Sequence, residues 1–255
     1  MPAAGPAQGG VSILVATYNG ARYLADQMDS ILAQVAPDDE VIVVDDGSSD
    51  TTFAMLSDYA ARFPCVTALR NDRNMGVRKT FERLLGLSTR NIVFLSDQDD
   101  IWIEGRKARM IEALQQGGCV AVLANSLVMT DEGIGRSFFP EGHRPDVGSV
   151  ARTFVRNPFI GCCMAFRREV LAVALPFPAS ISMHDWWIGT CAMAIGEVRY
   201  VAAPSLLYRR HGANQSSSTR RSWRVVLKDR RGNLLALAAL AARLVRLRRQ
   251  QHDAA

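Results

Sequence analysis

Short runs of apolar, β-branched residues recur along the first half of the chain, and each ends in a polar cluster. Residues 11–16 close in Thr17-Tyr18-Asn19-Gly20, residues 40–44 in Asp45-Asp46-Gly47-Ser48, and residues 91–95 in Ser96-Asp97-Gln98-Asp99-Asp100. Runs this short, without polar alternation, predict strands buried on both faces. Between them, Leu24, Met28, Ile31 and Leu32 recur at helical spacing within 21–35. Ser49-Asp50 can cap a second helix running to about residue 63. Residues 65–70 predict a further strand, 71–76 a turn, 77–87 and 106–116 helices, and 120–129 another strand. Strands alternating with helices predict an α/β fold with a mainly parallel sheet covered by helices. Ligands bind such sheets beyond the carboxyl ends of the strands, so the clusters at 17–19, 45–46 and 97–100 should share one rim.

The second half is less regular. Residues 131–157 carry Gly133, Gly135, Pro140, Gly142, Pro145 and Gly148 and read as one long loop, a lid or binding element. Its later landmarks are Gly161-Cys162-Cys163-Met164, His184-Asp185-Trp186-Trp187 and Tyr208-Arg209-Arg210-His211, followed by serines at 215–218. Residues 220–228 and 233–249 predict helices, with Gly232 as a break. Leu234, Leu237, Leu240 or Ala241, Leu244 and Leu247 form a stripe, with Arg243, Arg246 and Arg249 beside it. The expected organisation is a disordered stretch at 1–10, one catalytic domain at 11–219, and a basic amphipathic helical tail at 220–255.

Composition changes one part of this picture. The 255 residues are 48% hydrophobic and 22% charged, which excludes a disordered chain. The net charge of +5 is unevenly placed: residues 220–255 hold ten of the 30 basic residues and two of the 25 acidic ones. The body is therefore mildly acidic and the tail strongly basic, so an anionic partner should be sought at the tail. An anionic membrane surface suits a basic amphipathic helix. Packing of the stripe on the domain or on a second copy is the structural alternative. Nucleic acid is a poor partner, because no aromatic platform accompanies the charge. Residues 1–10 show neither the basic nor the apolar region of a secretory signal, and no apolar stretch is long enough to span a bilayer. The five cysteines lack CxxC spacing and leave one over from full pairing, so reduced thiols in a cytoplasm are expected.

Asp97, Asp99 and Asp100 crowd three carboxylates behind one strand, and they repel unless a cation or polar partner offsets them. Hard divalent cations such as Mg²⁺ or Mn²⁺ use one or two carboxylates plus substrate phosphates, and D-x-D spacing can aim two side chains at one ion. A solvated acidic turn is the alternative. Asp45-Asp46 can be a turn in which Asp46 bonds backbone N–H groups, or an acceptor for a nucleobase imide. Thr17-Tyr18-Asn19 can cap a helix or contact a nucleoside. No GxSxG elbow, Walker A loop or GxGxxG is present.

Four motifs stand in order: Val-Ala-Thr-Tyr-Asn-Gly at 15–20, Val-Val-Asp-Asp-Gly-Ser-Ser-Asp at 43–50, Arg-Asn-x-x-Asn-x-Gly at 70–76, and Asp-Gln-Asp-Asp-Ile-Trp at 97–102. This set resembles family 2 glycosyltransferases, which have the GT-A fold and use nucleotide-sugar donors. The segments 159–166, His184-Asp-Trp-Trp187 and Tyr208-Arg-Arg-His211 are similar to the rhamnosyltransferase-like branch. The resemblance covers about residues 11–214.

The resemblance implies roles residue by residue. Thr17, Tyr18, Asn19, Asp45 and Asp46 would contact the nucleotide. Arg78 would meet the diphosphate, with a surface role at a helix start as the alternative. Asp97 and Asp99 match the D-x-D pair, and His211 would complete the metal site. Asp185 matches the catalytic base, which takes the proton of an acceptor hydroxyl as it attacks the anomeric carbon. Asp100, Trp102, Gly161, Cys162, His184, Trp186 and Arg210 would line the donor and acceptor subsites, with His184 alternatively hydrogen-bonding Asp185 to hold it. His184 stands where the common family pattern has Glu. The implied activity is inverting, metal-dependent transfer of a sugar, foremost L-rhamnose from dTDP-rhamnose. The acceptor would be a polysaccharide or lipid-linked oligosaccharide at the inner face of the plasma membrane. A UDP-hexose donor and a non-catalytic nucleotide-sugar-binding protein are the alternatives.

Overall fold

The computed structural model describes residues 9–211 and 222–253. Of the stretch expected to be disordered, 1–10, residues 1–8 lie outside the described residues, as do the serines at 215–218 and the domain boundary at 219/220.

The first half alternates as the pattern requires. Strand β1 (Val11–Thr17) is followed by helix α1 (Leu24–Leu32), β2 (Glu40–Asp45), α2 (Thr52–Arg62), β3 (Val66–Arg70), α3 (Val77–Leu87) and β4 (Ile92–Asp97). These four strands are parallel in the order β3-β2-β1-β4. Their apolar residues are almost wholly buried, because α1, α2 and α3 cover the sheet. The register sets Thr17 beside Asp45 and Ala16 beside Asp97, so the three polar clusters do share one rim. The strand order reverses between β1 and β4, which is where a cleft opens in such sheets.

A two-residue strand β5 (Ile101–Trp102), helix α4 (Arg106–Gln115) and the long β6 (Cys119–Thr130) follow. The stretch expected to be a loop holds two elements, β7 (Gly133–Ser137) and α5 (Val150–Val155). Strand β7 pairs antiparallel with β6 and is largely exposed, so its Gly-Ile-Gly-Arg-Ser sequence carries no apolar alternation. Helix α5 is six residues long, too short to display a period, and Ser149 caps it by accepting from the Arg152 N–H.

A single 3₁₀ turn (Gly161–Cys163) leads into β8 (Met164–Arg167), which runs antiparallel between β4 and β6. Helix α6 (Val170–Ala174), helix α7 (His184–Ile195) and strand β9 (Glu197–Arg209) follow. Strand β9 lies parallel to β6 and pairs with β5, completing a nine-stranded sheet among the described residues. All five cysteines are free thiols.

The last element, α8 (Trp223–Asp253), runs unbroken through Gly232. It packs on the body through buried Asn233, Ala236 and Leu240, with Leu237, Leu244 and Leu247 half-buried beside them. Asn233 accepts from the Ser182 N–H at 3.1 Å. Arg243 donates to the Val173 and Pro176 carbonyls at 2.7 and 2.6 Å, so it is a fastening and not a solvated charge. Leu234, expected in the inward stripe, is exposed. Among the described residues no helix is long and apolar enough to cross a membrane.

Gly232 is a contact and not a break. A Cβ there would meet the Ser180 carbonyl oxygen at 2.1 Å. Alanine normally stabilises a helix interior over glycine by about 1 kcal/mol. Gly232→Ala should instead destabilise the protein, by about 1–3 kcal/mol, because backbone must shift. Urea unfolding of the two proteins decides this; a more stable variant would show the contact to be dispensable.

Candidate active site

A cavity of about 660 Å³ opens at the carboxyl ends of β1, β2 and β4. Its wall includes Thr17, Tyr18, Asn19 and Asp46 on one side, Asp97, Asp99 and His211 on another, and Gly161, His184 and Asp185 on a third. Residues far apart in the chain thus meet there, as the rim position requires.

The β1 end is held by polar contacts. Asn19 adopts a left-handed backbone conformation (φ 48°) that Asn tolerates better than most residues. Its N–H donates to Ser48 Oγ at 2.8 Å, and its side-chain oxygen accepts from the Ser49 N–H at 2.8 Å. Gln98 clamps Tyr18, accepting from its N–H at 2.7 Å and donating to its carbonyl at 3.0 Å. Asp46 grips the 71–76 turn: it accepts from Asn71 Nδ2 at 2.7 Å and from the Met75 and Gly76 N–H groups at 2.8 Å each. Its Oδ2 takes one of these bonds and keeps acceptor capacity toward the cavity.

The acidic cluster divides into two groups. Asp99 Oδ2 lies 2.7 Å from His211 Nε2 at the cavity wall. The other group, Asp97, Asp100 and Cys162, brings one ligand atom from each within 4.8 Å. The expected set of Asp97, Asp99 and His211 is therefore not one tight triad: Asp97 sits beside the Asp99–His211 pair but groups with buried neighbours. Burial, then the charges of Asp99 and Asp185, push the Asp97 carboxyl up to about 7. Burial and the same kind of crowding hold Asp100 well above the usual carboxylate range. Strand β9 is tied across this turn. The Arg209 N–H donates to Asp100 Oδ1 at 3.0 Å, and Arg209 Nε donates to the Asp99 carbonyl at 2.8 Å. The tie delivers His211 to Asp99, and the His211 ring also lies 4.7 Å from that of Tyr23.

Asp185 stands in the first turn of α7. Its Oδ1 accepts from the Trp186 N–H at 2.5 Å and from Asn157 Nδ2 at 3.4 Å. His184 does not hold Asp185. Its imidazole is buried, stacks on Phe81 at 4.2 Å, and hydrogen-bonds through neither nitrogen. It packs so closely on Gly161 that a Cβ there would meet Nε2 at 2.8 Å. Gly161 thus makes room for His184.

Several expected site residues lie away from the cavity wall. Asp45 is fully buried, accepting from the Ser48 N–H and pairing with Arg70 Nε at 3.2 Å, so it shapes the loop behind Asp46. Arg78 donates to the Ile181 carbonyl and ties α3 to the segment before α7. Asp100 is buried beneath the cavity. Trp102 is a core residue donating to Ser96 Oγ at 3.2 Å, with the buried Arg106 guanidinium 4.8 Å over its ring. Cys162 is buried, and its contact with Cys163 and its burial raise its thiol well above the ordinary value. Trp186 is buried beside α8 in a smaller cavity. Arg210 donates its N–H to the Met129 carbonyl and lies over Phe138. None of these side chains lines the large cavity. Conversely, Tyr23, Thr80 and Met183 line the cavity without having been singled out, and Tyr208, named in a motif but given no role, lines it too. Tyr23 had a readable signal, since it opens the helix that follows the β1 loop.

Comparison with known proteins agrees with this geometry. The model of the family described as "Glycosyl transferase family 2" matches residues 12–174. The chain belongs to glycosyl transferase family 2. It is a glycosyltransferase. The dTDP-rhamnosyl transferase RfbG of Shigella flexneri is 25% identical over 219 residues, which cover 79% of this transferase and 73% of RfbG. Among solved structures, S. aureus TarS 1–349 in complex with UDP-GlcNAc matches with a TM-score of 0.67 at 20% identity. That match covers 84% of this chain and 62% of the TarS chain. The mannosyltransferase PcManGT from Pyrobaculum calidifontis, in complex with GDP-Man and Mn²⁺, matches with a TM-score of 0.60 at 20% identity, over 93% of this chain and 74% of that one. The transferase shares the GT-A fold of these neighbours.

The buried His184 generates a prediction about stability. Burial lowers its pKa from 6.5 to about 3. Between these values the unfolded chain binds a proton that the folded state refuses, so stability falls as pH falls through this window, by up to about 1.4 kcal/mol per pH unit. His184→Phe removes that contribution. Unfolding free energies from about pH 7 to about pH 5 should fall more steeply for the wild type than for the variant. Parallel profiles would contradict the buried neutral imidazole.

Proposed function

We propose that this transferase moves a sugar from a nucleotide-diphosphate donor to a hydroxyl of a cell-surface polysaccharide or lipid-linked oligosaccharide, with inversion at the anomeric carbon. One observation carries the reading: Asp185 faces the same cavity as Asp97 and the Asp99–His211 pair. Thr17, Tyr18, Asn19 and Asp46 form the nucleoside end. Asp46 offers an acceptor to a base imide, and Gln98 fixes the backbone of Tyr18. A carboxylate oxygen and an imidazole nitrogen side by side at the wall fit a divalent ion that keeps room for waters and phosphate oxygens. Asp99 and His211 would hold Mg²⁺ or Mn²⁺, with Asp97 beside them, and the bound ion supplies Lewis-acid stabilisation of the leaving diphosphate. Asp185 receives the acceptor's proton as the new glycosidic bond forms. A single base in that position implies one displacement rather than two.

The donor we favour is dTDP-L-rhamnose. The name of RfbG and the His184-Asp185-Trp186-Trp187 motif support it. The likeness to TarS, solved with UDP-GlcNAc, supports a UDP-hexose as the second reading. A thermal-shift panel of nucleotide sugars with Mg²⁺ or Mn²⁺ separates them: the largest stabilisation should come from dTDP-rhamnose, and a UDP-sugar in that place would displace it.

Asp185→Asn should lower transfer by about 100-fold or more while leaving donor binding within a few-fold of wild type. Near-normal turnover would remove Asp185 as the base. Chelation should abolish transfer, and His211→Ala should raise the metal concentration needed to restore it. Transfer indifferent to chelation would overturn the metal assignment.

A further inference from the structure

Packing of α8 on the body consumes the apolar stripe that the sequence displays most clearly, yet a second stripe is left on the opposite face. Leu227, Leu234, Ala238, Ala241 and Val245 follow one another at spacings of seven, four, three and four residues, so they share one side of the helix. Trp223 extends the row one turn earlier. These side chains are open to solvent: Trp223 is 69% exposed, Leu227 53%, Leu234 55% and Val245 49%. Leu235, on the flank, is also exposed. Up to residue 249 the charges on this side are all positive, and Asp253, four residues beyond Arg249, is the one acidic position on it. Arg231 interrupts the row, Arg249 ends it, and Lys228 and Arg246 flank it, every one of them exposed. Asp229 lies on the inward side of the helix, at the small cavity between α8 and α7.

We propose that the outer face of α8 is a docking surface for an anionic lipid bilayer, with the helix lying in the plane of the interface. Charge decides the occupant. In a dimer of two such helices the apolar rows would bring Arg231 and Arg249 into the seam against further arginines, which costs desolvation and repulsion that one terminal Asp253 per helix does not offset against four basic residues. At an anionic bilayer the apolar row enters the headgroup boundary while the arginine and lysine heads reach outward to phosphates. The helix does not cross the bilayer, for it is not apolar enough. This proposal concerns where the enzyme sits and depends on no role assigned to the cavity residues.

Tryptophan emission gives a direct readout. Trp102, Trp186 and Trp187 are buried, and Trp223 alone among the four tryptophans is exposed. Adding phosphatidylcholine vesicles that contain phosphatidylglycerol to the full chain at low salt should shift the emission to the blue. Phosphatidylcholine alone should not, and Trp223→Phe should abolish the shift. Co-sedimentation should give the same ranking. A combined Arg231→Glu, Arg246→Glu, Arg249→Glu variant should lose on the order of 100-fold or more in partitioning. A Leu227→Ser, Leu234→Ser, Val245→Ser variant should also dissociate from the vesicles. Both variants should keep the helical circular dichroism and the donor-induced thermal shift of wild type, since no altered residue touches the cavity. The proposal is overturned if the full chain ignores anionic vesicles at low salt. It is equally overturned if sedimentation shows a dimer that the serine variant splits while vesicle binding is absent.

Discussion

Carboxylates crowded behind β4 repel one another, and much of the second half of the chain is arranged around offsetting that repulsion. Asp97, Asp99 and Asp100 leave an apolar strand at a place where water is scarce. Left alone they would hold protons or force the turn open. Arg209 answers at the backbone and guanidinium, tying β9 to Asp99 and Asp100 and pairing with Asp26 at 2.8 Å. Arg106, buried beneath, brings a positive charge near Asp100 while donating to Ser205 Oγ at 2.7 Å and to the Cys162 carbonyl at 2.5 Å. Burial and the neighbouring charges of Asp99 and Asp185 hold the Asp97 carboxyl above the usual range. Asp97 thus lies beside the Asp99–His211 pair to which the proposed function assigns a divalent ion.

Legibility from the sequence followed the same physical lines. The parallel half was readable because strands buried on both faces leave unbroken apolar runs, and because each run stops at the rim where polar residues are needed. Thr17, Asp46 and Asp97, at the ends of such runs, line the cavity. Of the adjacent acidic pairs, Asp46 and Asp99 line the cavity while Asp45 and Asp100 do not, and alternation alone does not say which member faces it. Trp102 and Trp186 were misplaced because a motif records a position and not the side of the element it faces. Strand β7 and helix α5 were invisible for want of a period, one being exposed and glycine-rich and the other a turn and a half long. His184 was assigned a hydrogen bond that its apolar surroundings do not supply.

The tail shows a different limit. Two stripes coexist on α8, and leucine count favours the inward one. Which stripe the body takes is settled by small residues. Gly232 lets the helix reach the Ser180 carbonyl, Ala236 lies flat against the body, and Asn233 meets the Ser182 N–H. Close approach at these three positions orients the helix about its axis, and Arg230 and Arg243 then lock it by donating to carbonyls of α5 and α6. A sequence stripe identifies an amphipathic helix but not its azimuth when a second face is also apolar.

That azimuth bears on catalysis through geometry. The segment 180–183, which α8 grips, leads directly into His184 and Asp185. Met183 lines the large cavity on one side and the smaller cavity under α8 on the other. The position of Asp185 is thus fixed from three directions: by the Trp186 N–H within its own helix, by Asn157 from the loop after α5, and by α8 behind the preceding segment. In the role proposed for Asp185, such bracing matters, since small displacements would remove the carboxylate from an acceptor hydroxyl's reach. The Thr17–Asp46 side of the cavity is built on strands of the sheet, whereas the Asp185 side rests on a helix N-terminus and the packing behind it. Variation in the second half of the chain can therefore reshape the Asp185 side without disturbing the strand ends that form the other side.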